Sequence, residues 1–145
     1  MYENKQALFD TYRRLKRLDL TSGIAGLSSG DFALLRVVDA LGSDNDGQGA
    51  EVSQAARQLG VSAPAVSKGI RKLEELGYLE RNINKNDRRF TFITLTPKGS
   101  TALAEANAKL YEILDRIISR VGKENIDTLD RLLNEFIDAA NEIKN

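Results

Sequence analysis

The sequence predicts a mainly α-helical fold with one small β-hairpin, in a single domain of 145 residues. Apolar residues recur at helical spacing along most of the chain, whereas the stretch 88-RRFTFITLT-96 alternates with period two and is rich in Thr, Phe and Ile. Thr96-Pro97 then supplies an N-cap followed by proline, an order that starts a helix. A chain of this length can bury one real core but is too short for two ordinary domains.

Composition narrows the chemistry that the chain can perform. Charged residues make up 29% and hydrophobic residues 41%, as in a globular domain. The longest apolar run is 32-FALL-35, so we expect no signal peptide, no membrane contact and a cytoplasmic location. There is no Cys and no His, which removes disulfides, thiol switches, zinc sites and imidazole chemistry. Asp44-x-Asp46 starts like a calcium loop, but Ala55 stands where a bidentate Glu belongs. We therefore expect no enzyme, no metal and no cofactor.

The first part of the chain is predicted to hold three helices and one polar loop. Ser28 or Ser29 can cap the second helix, and Gly60 ends the third. The expected bounds are 3–20, 31–41 and 51–60 for the helices and 42–49 for the loop.

The stretch 60-GVSAPAVSKGIRKLEELGYLER-81 predicts another helix directly after a short turn. Its N-cap is Ser62, and Gly77 suits the left-handed residue that follows a helix. The predicted apolar stripe consists of Ala63, Val66, Ile70 and Leu73. A short helix, a turn that contains glycine and a second helix predict a helix-turn-helix.

Basic charge is concentrated in the same third of the chain. Residues 51–100 carry nine Lys or Arg against five Asp or Glu, although the net charge of the chain is zero. The predicted hairpin comes directly after the second helix of the helix-turn-helix, the one capped by Ser62, and bears cations at its tip. This order predicts a winged helix-turn-helix, in which the helix enters the major groove and an arginine of the wing enters the adjacent minor groove.

The predicted contacts to double-stranded DNA divide by type. Residues at the start of the helix should lie near base edges, whereas Arg71 and Lys72 should meet phosphates. In the wing, Asp87 should orient the guanidinium of Arg89. The alternative for the two helices is an ordinary helical corner with a solvated basic face. The alternative for Asp87 and Arg89 is a pair that only pins the hairpin turn. The predicted DNA-binding residues are Ser62, Ala63, Pro64, Ser67, Lys68, Arg71, Lys72, Lys85, Asp87, Arg88 and Arg89.

The run 59-LGVSAPAVSKGIRKLEELGYLERNINKNDRRFTFITLTPKG-99 resembles the winged helix-turn-helix of MarR-type transcriptional regulators. The matching motifs are 76-LGYLER-81, 87-DRR-89, and 94-TLT-96 with Gly99, and the resemblance extends over essentially the whole chain because 27-LSSGDFALL-35 also matches. One position departs from the family pattern. Glu51 stands where Thr or Ser usually caps a helix, and Glu is a poor N-cap, which puts a phosphate contact there in doubt.

The resemblance implies a homodimeric repressor or activator that binds a pseudo-palindromic operator, and of the two we expect a repressor. Residues 28–99 would form the DNA-binding lobe, and residues 1–27 and 100–145 the dimerisation helices. Relatives often respond to small aromatic or anionic effectors. Candidate residues for an effector pocket are Tyr12, Phe32 and Arg36.

The apolar pattern of the last helices independently predicts a partner surface. Apolar residues fall at alternating spacings of three and four, as in a coiled-coil seam. One small domain cannot easily cover both helices, so a second copy is the simpler account, with an intramolecular antiparallel pair as the alternative. The predicted dimerisation residues are Leu8, Tyr12, Leu15, Leu114, Ile117, Val121, Ile126, Leu129, Leu133, Phe136, Ile137 and Ala140.

Two other functions fit part of the pattern. A PadR-like regulator would also combine a winged helix with a helical dimer arm, but the long first helix and the 87-DRR-89 wing argue against it. The other alternative is a winged-helix interaction module without specific DNA binding. The basic side chains of the predicted DNA surface argue against it.

Overall fold

The computed structural model describes residues 3–84, 87 and 89–145, and these hold six α-helices and one antiparallel hairpin. The strands are β1 (Leu79–Ile83) and β2 (Thr91–Leu95). The helices are α1 (Lys5–Arg17), α2 (Ser29–Asp44), α3 (Val52–Leu59), α4 (Ala63–Glu75), α5 (Pro97–Val121) and α6 (Lys123–Lys144). The predicted fold class, helical with one hairpin, is confirmed. None of the helices in this described part is long and apolar enough to cross a bilayer.

The chain divides into two compact units, Met1–Lys109 and Leu110–Asn145. In the first unit α2 is the central element, since it contacts α3, α4 and β2. The Oγ of Ser28 accepts a hydrogen bond from the Asp31 backbone N–H at 3.1 Å, so Ser28 is the N-cap. The buried apolar side chains of this unit include Phe32, Leu35, Val38, Ile70, Leu73 and Ile93.

The predicted loop over 42–49 is wrong at its start, because α2 continues to Asp44. Gly, Ser and Asp are weak helix formers, but local packing outweighs this propensity. A methyl group on Gly42 would lie 3.8 Å from the Cα of Gly49, so the end of the helix lies beside the returning loop. The Nδ2 of Asn45 donates to the Gly49 carbonyl at 2.8 Å and closes that loop.

The loop delivers the chain to the base of the hairpin. Ala50 and Ile93 exchange two backbone hydrogen bonds of 2.8 Å, forming an isolated bridge beside β2. Gly49 has φ +115°, and a Cβ there would lie 2.7 Å from the Ile93 carbonyl oxygen. Glycine is therefore needed for this close approach.

The predicted start of α5 at Thr96-Pro97 is confirmed. The Oγ1 of Thr96 accepts from the Gly99 N–H at 3.0 Å and donates to the Gly77 carbonyl at 2.6 Å. These bonds hold the start of α5 against the residues that follow α4. Gly99 is buried there, and a Cβ at this position would overlap the carbonyl group of Tyr78.

We expect Gly99→Ala to lower the free energy of unfolding by roughly 1–3 kcal/mol, because the added methyl meets rigid backbone. Urea denaturation monitored by circular dichroism measures this change. Gly30→Ala is the matched control, since a Cβ on Gly30 meets nothing within 4 Å, and it should change stability by less than about 1 kcal/mol. Equal transition midpoints for the two variants would contradict the close approach.

Helix α1 is shorter than the predicted 3–20 and buries no side chain. It ends at Arg17 because Asp19 organises the linker that follows: its Oδ1 accepts from the Ser29 hydroxyl at 2.6 Å and from the Thr21 N–H at 3.0 Å. These bonds lower the pKa of Asp19, the Ser29 bond most. The predicted dimerisation residues Leu8, Tyr12 and Leu15 are exposed along α1.

In the second unit, α6 buries no side chain either. Its polar side is stabilised by intrahelical ion pairs, Lys123–Asp127 at 2.6 Å and Arg131–Glu135 at 2.7 Å. Its apolar side is uncovered, and the exposed large side chains of α6 are Leu129, Leu132, Phe136, Ile137 and Ile143.

Candidate nucleic-acid interface

The turn between α3 and α4 is tight and places the start of α4 at the surface. Gly60 ends α3, as predicted, and adopts the left-handed conformation at φ +65°, while the Val61 N–H donates back to the Ala56 carbonyl at 3.2 Å. The Oγ of Ser62 accepts from the Ala65 N–H at 3.3 Å, which confirms the predicted N-cap. Three residues thus separate two helices, the geometry of a helix-turn-helix.

The first turn of α4 is small, exposed and free of acidic residues. The N-terminus of a helix carries partial positive charge, so this end suits an approach to phosphates and base edges. Ala63 is exposed, so its predicted place on the buried stripe is wrong, while Val66, Ile70 and Leu73 are buried as predicted. Of the other predicted contact residues on α4, Ser67 is half-buried, and the exposed ones are Ser62, Pro64, Lys68, Arg71 and Lys72.

The far end of α4 is fixed by its cap and by a lysine from α5. Gly77 has φ +78°, and the N–H groups of Gly77 and Tyr78 donate to the carbonyls of Glu74 and Leu73 at 2.9 Å each, a Schellman ending. Lys98 donates to the Leu76 carbonyl at 2.8 Å, and its Nζ lies 5.0 Å from the centre of the Tyr78 ring. A cation at a helix C-terminus is electrostatically favourable.

An arginine of β1 joins the wing to α4. The Nε of Arg81 donates to both carboxylate oxygens of Glu74, at 2.9 and 3.0 Å. On the hairpin itself, the Asn82 amide donates to the Thr94 hydroxyl at 2.8 Å. The orientation of the wing is therefore tied to the helix whose start is exposed.

The predicted ion pair in the wing is present. Arg89 donates from Nε to Asp87 Oδ1 at 3.0 Å and from Nη2 to Asp87 Oδ2 at 2.7 Å, and its backbone N–H also donates to Oδ1 at 3.1 Å. The guanidinium holds the pKa of the Asp87 carboxyl below its usual value, and Asp87 raises the pKa of Arg89. The Arg89 side chain stays 85% exposed, so it is oriented yet accessible. The predictions for Lys85 and Arg88 lie outside the described residues.

Lys72 has an intramolecular partner that was not predicted. Its Nζ donates to the Oδ2 of Asp31 at 2.6 Å. Asp31 lies in the first turn of α2 and is buried. No local pattern signals a pair between residues so far apart in sequence.

Glu51 does cap α3, although Glu is a poor residue for that place. The Oε1 of Gln54 accepts from the Glu51 backbone N–H at 3.3 Å and from the Asn45 amide at 3.1 Å. Gln54 therefore supplies the return bond of a capping box and ties α3 to the loop before it.

The candidate effector residues have different surroundings in the first unit. Phe32 is only 2% exposed and is a core side chain, with the Arg36 guanidinium 5.7 Å from its ring centre. Tyr12 is exposed on α1, where Lys16 lies 5.7 Å from its ring centre. An open groove of about 350 Å³ between α2, α3 and α4 is lined by none of the three. Within the described residues, no three acidic side chains group as a metal site would require.

A glycine-containing turn between two helices, an exposed helix start and an adjoining hairpin together define a winged helix-turn-helix protein. A model of the MarR family matches residues 25–89, which include all of these elements except the second strand. Over this region the chain is similar to the MarR family, in agreement with its resemblance to MarR-type regulators.

The curated relatives that the chain matches are described as transcriptional regulators. The HTH-type transcriptional regulator TcaR of Staphylococcus aureus (strain Newman) is 34% identical over 84 residues, which are 57% of this chain and 56% of TcaR. The HTH-type transcriptional regulator YwhA of Bacillus subtilis (strain 168) is 27% identical over 77 residues, 53% of this chain and 55% of YwhA. The match thus spans little more than half the length of each relative.

Solved structures match over nearly the whole chain. The transcriptional regulator BldR from Sulfolobus solfataricus superposes with a TM-score of 0.74 at 26% identity, covering 96% of this chain and 99% of BldR. The transcriptional repressor CouR, bound to a 23-mer DNA duplex, superposes with a TM-score of 0.73 at 26% identity, covering 90% of this chain and 89% of CouR.

Proposed function

We propose that this protein is a sequence-specific transcriptional regulator that binds double-stranded DNA through α4 and the wing. The observation that carries the proposal is the start of α4: it is exposed, capped by Ser62, without acidic side chains and flanked by unpaired cations. Among the described residues, neither Lys68 nor Arg71 has an acidic partner. The oriented Arg89 of the wing supplies the second contact, in the minor groove.

The proposed DNA-binding form is a homodimer on a pseudo-palindromic operator. Two copies related by a two-fold axis would place their α4 helices roughly 34 Å apart, one helical turn of DNA. The uncovered apolar side of α6 supports this assembly, because a contiguous apolar patch on a monomer marks an interaction surface. Residues 28–99 would form the DNA-binding lobe, and residues 1–27 and 100–145 the dimerisation region.

A repressor is the form of regulation that we propose, in keeping with the similarity to CouR, a transcriptional repressor. A bound repressor blocks transcription until an effector shifts it to a form with lower affinity for DNA. With Phe32 buried, the exposed residues that remain from the effector candidates are Tyr12 and Arg36, which suit an aromatic or anionic molecule. The protein would act in the cytoplasm.

The direct test is selection of bound duplexes from genomic fragments, followed by titration at several salt concentrations. We expect one enriched, pseudo-palindromic sequence that binds at least about a thousandfold tighter than scrambled DNA. Arg71→Ala should weaken binding to both duplexes alike and lower the slope of log affinity against log salt by about 0.9, because Arg71 meets a phosphate and no base. An altered sequence preference would contradict that docking.

The alternative, an interaction module without specific DNA binding, makes the opposite prediction. Selection would then enrich no sequence, and the parent protein would bind operator and scrambled DNA equally. That result would overturn the proposed function.

A further inference from the structure

The pair Lys72–Asp31 differs from the surface ion pairs of this protein in its burial. The Asp31 side chain is 11% exposed, whereas that of Lys72 is 56% exposed, and their atoms are 2.6 Å apart. The pairs Lys123–Asp127 and Arg131–Glu135 expose both partners by more than half. A carboxylate at the rim of the core is thus matched by a single cation that comes from the outer side of α4.

Burial makes this pairing difficult to exchange. A buried carboxylate that loses its cation keeps its charge in a poorly solvated place, which is strongly unfavourable. The backbone N–H of Asp31 is bonded to Ser28, and its carboxylate has no donor besides Lys72 in the described residues. A DNA phosphate would have to draw Lys72 away from that carboxylate, whereas Lys68 and Arg71 can meet phosphates without such a loss.

We propose that Asp31 withholds Lys72 from the DNA backbone and thereby limits the affinity of this protein for DNA of any sequence. The inference rests on the proposed function, since it concerns the same helix α4. Phosphate contacts strengthen specific and non-specific binding alike, and only base contacts and DNA shape separate them. By removing one cation from the phosphate contacts, Asp31 reduces non-specific binding while leaving the exposed start of α4 to select the sequence. Asp31 is therefore a positioning residue that acts through Lys72.

Salt titrations on a non-specific duplex test this with Asp31→Asn, Lys72→Gln and the double variant. Asp31→Asn should steepen the salt slope by about 0.9 and tighten binding several-fold at low salt, because one more phosphate is neutralised. Lys72→Gln alone should keep the parent slope. The double variant should return to the parent slope, which separates release of Lys72 from the mere loss of a negative charge. Arg71→Gln is the matched control, and it should lower the slope by about 0.9 with either residue at position 31.

Three outcomes would overturn the inference. Lys72→Gln with a slope reduced by about 0.9 means that Lys72 already contacts phosphate. If Asp31→Asn keeps the parent salt slope, Asp31 was not withholding a phosphate contact. If the double variant has a salt slope as steep as that of Asp31→Asn, the gain in binding comes only from the loss of the negative charge. If circular dichroism shows that either single variant does not fold, the double variant decides, because it leaves no unpaired buried charge: the parent slope supports the inference, and a steeper or a reduced slope overturns it. A parent that binds no duplex overturns the proposed function together with the inference.

Discussion

Phe136→Glu is expected to turn the protein into a monomer and to weaken operator binding by about 10²–10⁴-fold. This magnitude follows from the loss of simultaneous binding to two half-sites. Two linked binding units exceed the affinity of a single unit by a factor of that order. Phe136 lies on the uncovered side of α6 and is 46% exposed. A carboxylate there would be buried without a partner in the proposed dimer, but it stays solvated in the monomer. Light scattering at micromolar concentration and a titration on the selected operator measure the two effects.

Asn134→Glu is the charge-matched control on the same helix. Two residues correspond to about 200° of rotation, so Asn134 lies on the other side of α6 from Phe136. Its side-chain amide donates to the backbone carbonyl of Asp130 at 2.8 Å. This variant should remain dimeric and bind the operator like the parent. A Phe136→Glu protein that is still dimeric would contradict the proposed interface, and so would a parent that is monomeric.

Arg89→Ala should weaken operator binding by roughly 1–3 kcal/mol, about 5- to 150-fold, with the protein still folded. An arginine in the minor groove senses groove width, so the loss should be larger on operators with narrow A·T-rich flanks than on G·C-rich ones. Asp87→Ala should show a smaller loss of the same kind, because Arg89 remains but loses the bidentate contact that orients it. Binding titrations on both operators, with circular dichroism for folding, measure these losses.

Arg131→Ala is the matched control for the wing. Arg131, like Arg89, is an exposed arginine paired with a nearby carboxylate, but it lies on α6. An exposed pair contributes little to stability, so neither arginine variant should unfold. If Arg89→Ala binds both operators like the parent, the wing has only a structural role. If it unfolds, the pair with Asp87 pins the hairpin.

Local signals explain which parts of the fold the sequence could predict. Several features depend on neighbouring residues alone: the cap at Ser62, the glycines Gly60 and Gly77 that end helices, and the start of α5 at Thr96-Pro97. The hairpin follows from period-two alternation, which is local as well. The bidentate contact between Asp87 and Arg89 spans only two positions, so spacing and charge sufficed to predict it.

Contacts between distant segments explain what the sequence could not predict. The extension of α2 over residues that disfavour helix depends on the nearby Gly49 loop. The pairing of Lys72 with Asp31 depends on how α4 packs on α2, so periodicity showed only that Lys72 is on the outer side. The role of Phe32 depends on burial, which its residue type leaves open.

Hydroxyl-radical footprinting on the selected operator tests the central claim most directly, that two copies bind DNA through α4 and the wing. We expect two protected half-sites related by two-fold symmetry, with centres about one helical turn or roughly 34 Å apart. Protection should extend into the minor groove on the outer side of each half-site and should be lost there in Arg89→Ala. A single protected half-site, or uniform protection without a preferred sequence, would contradict the account.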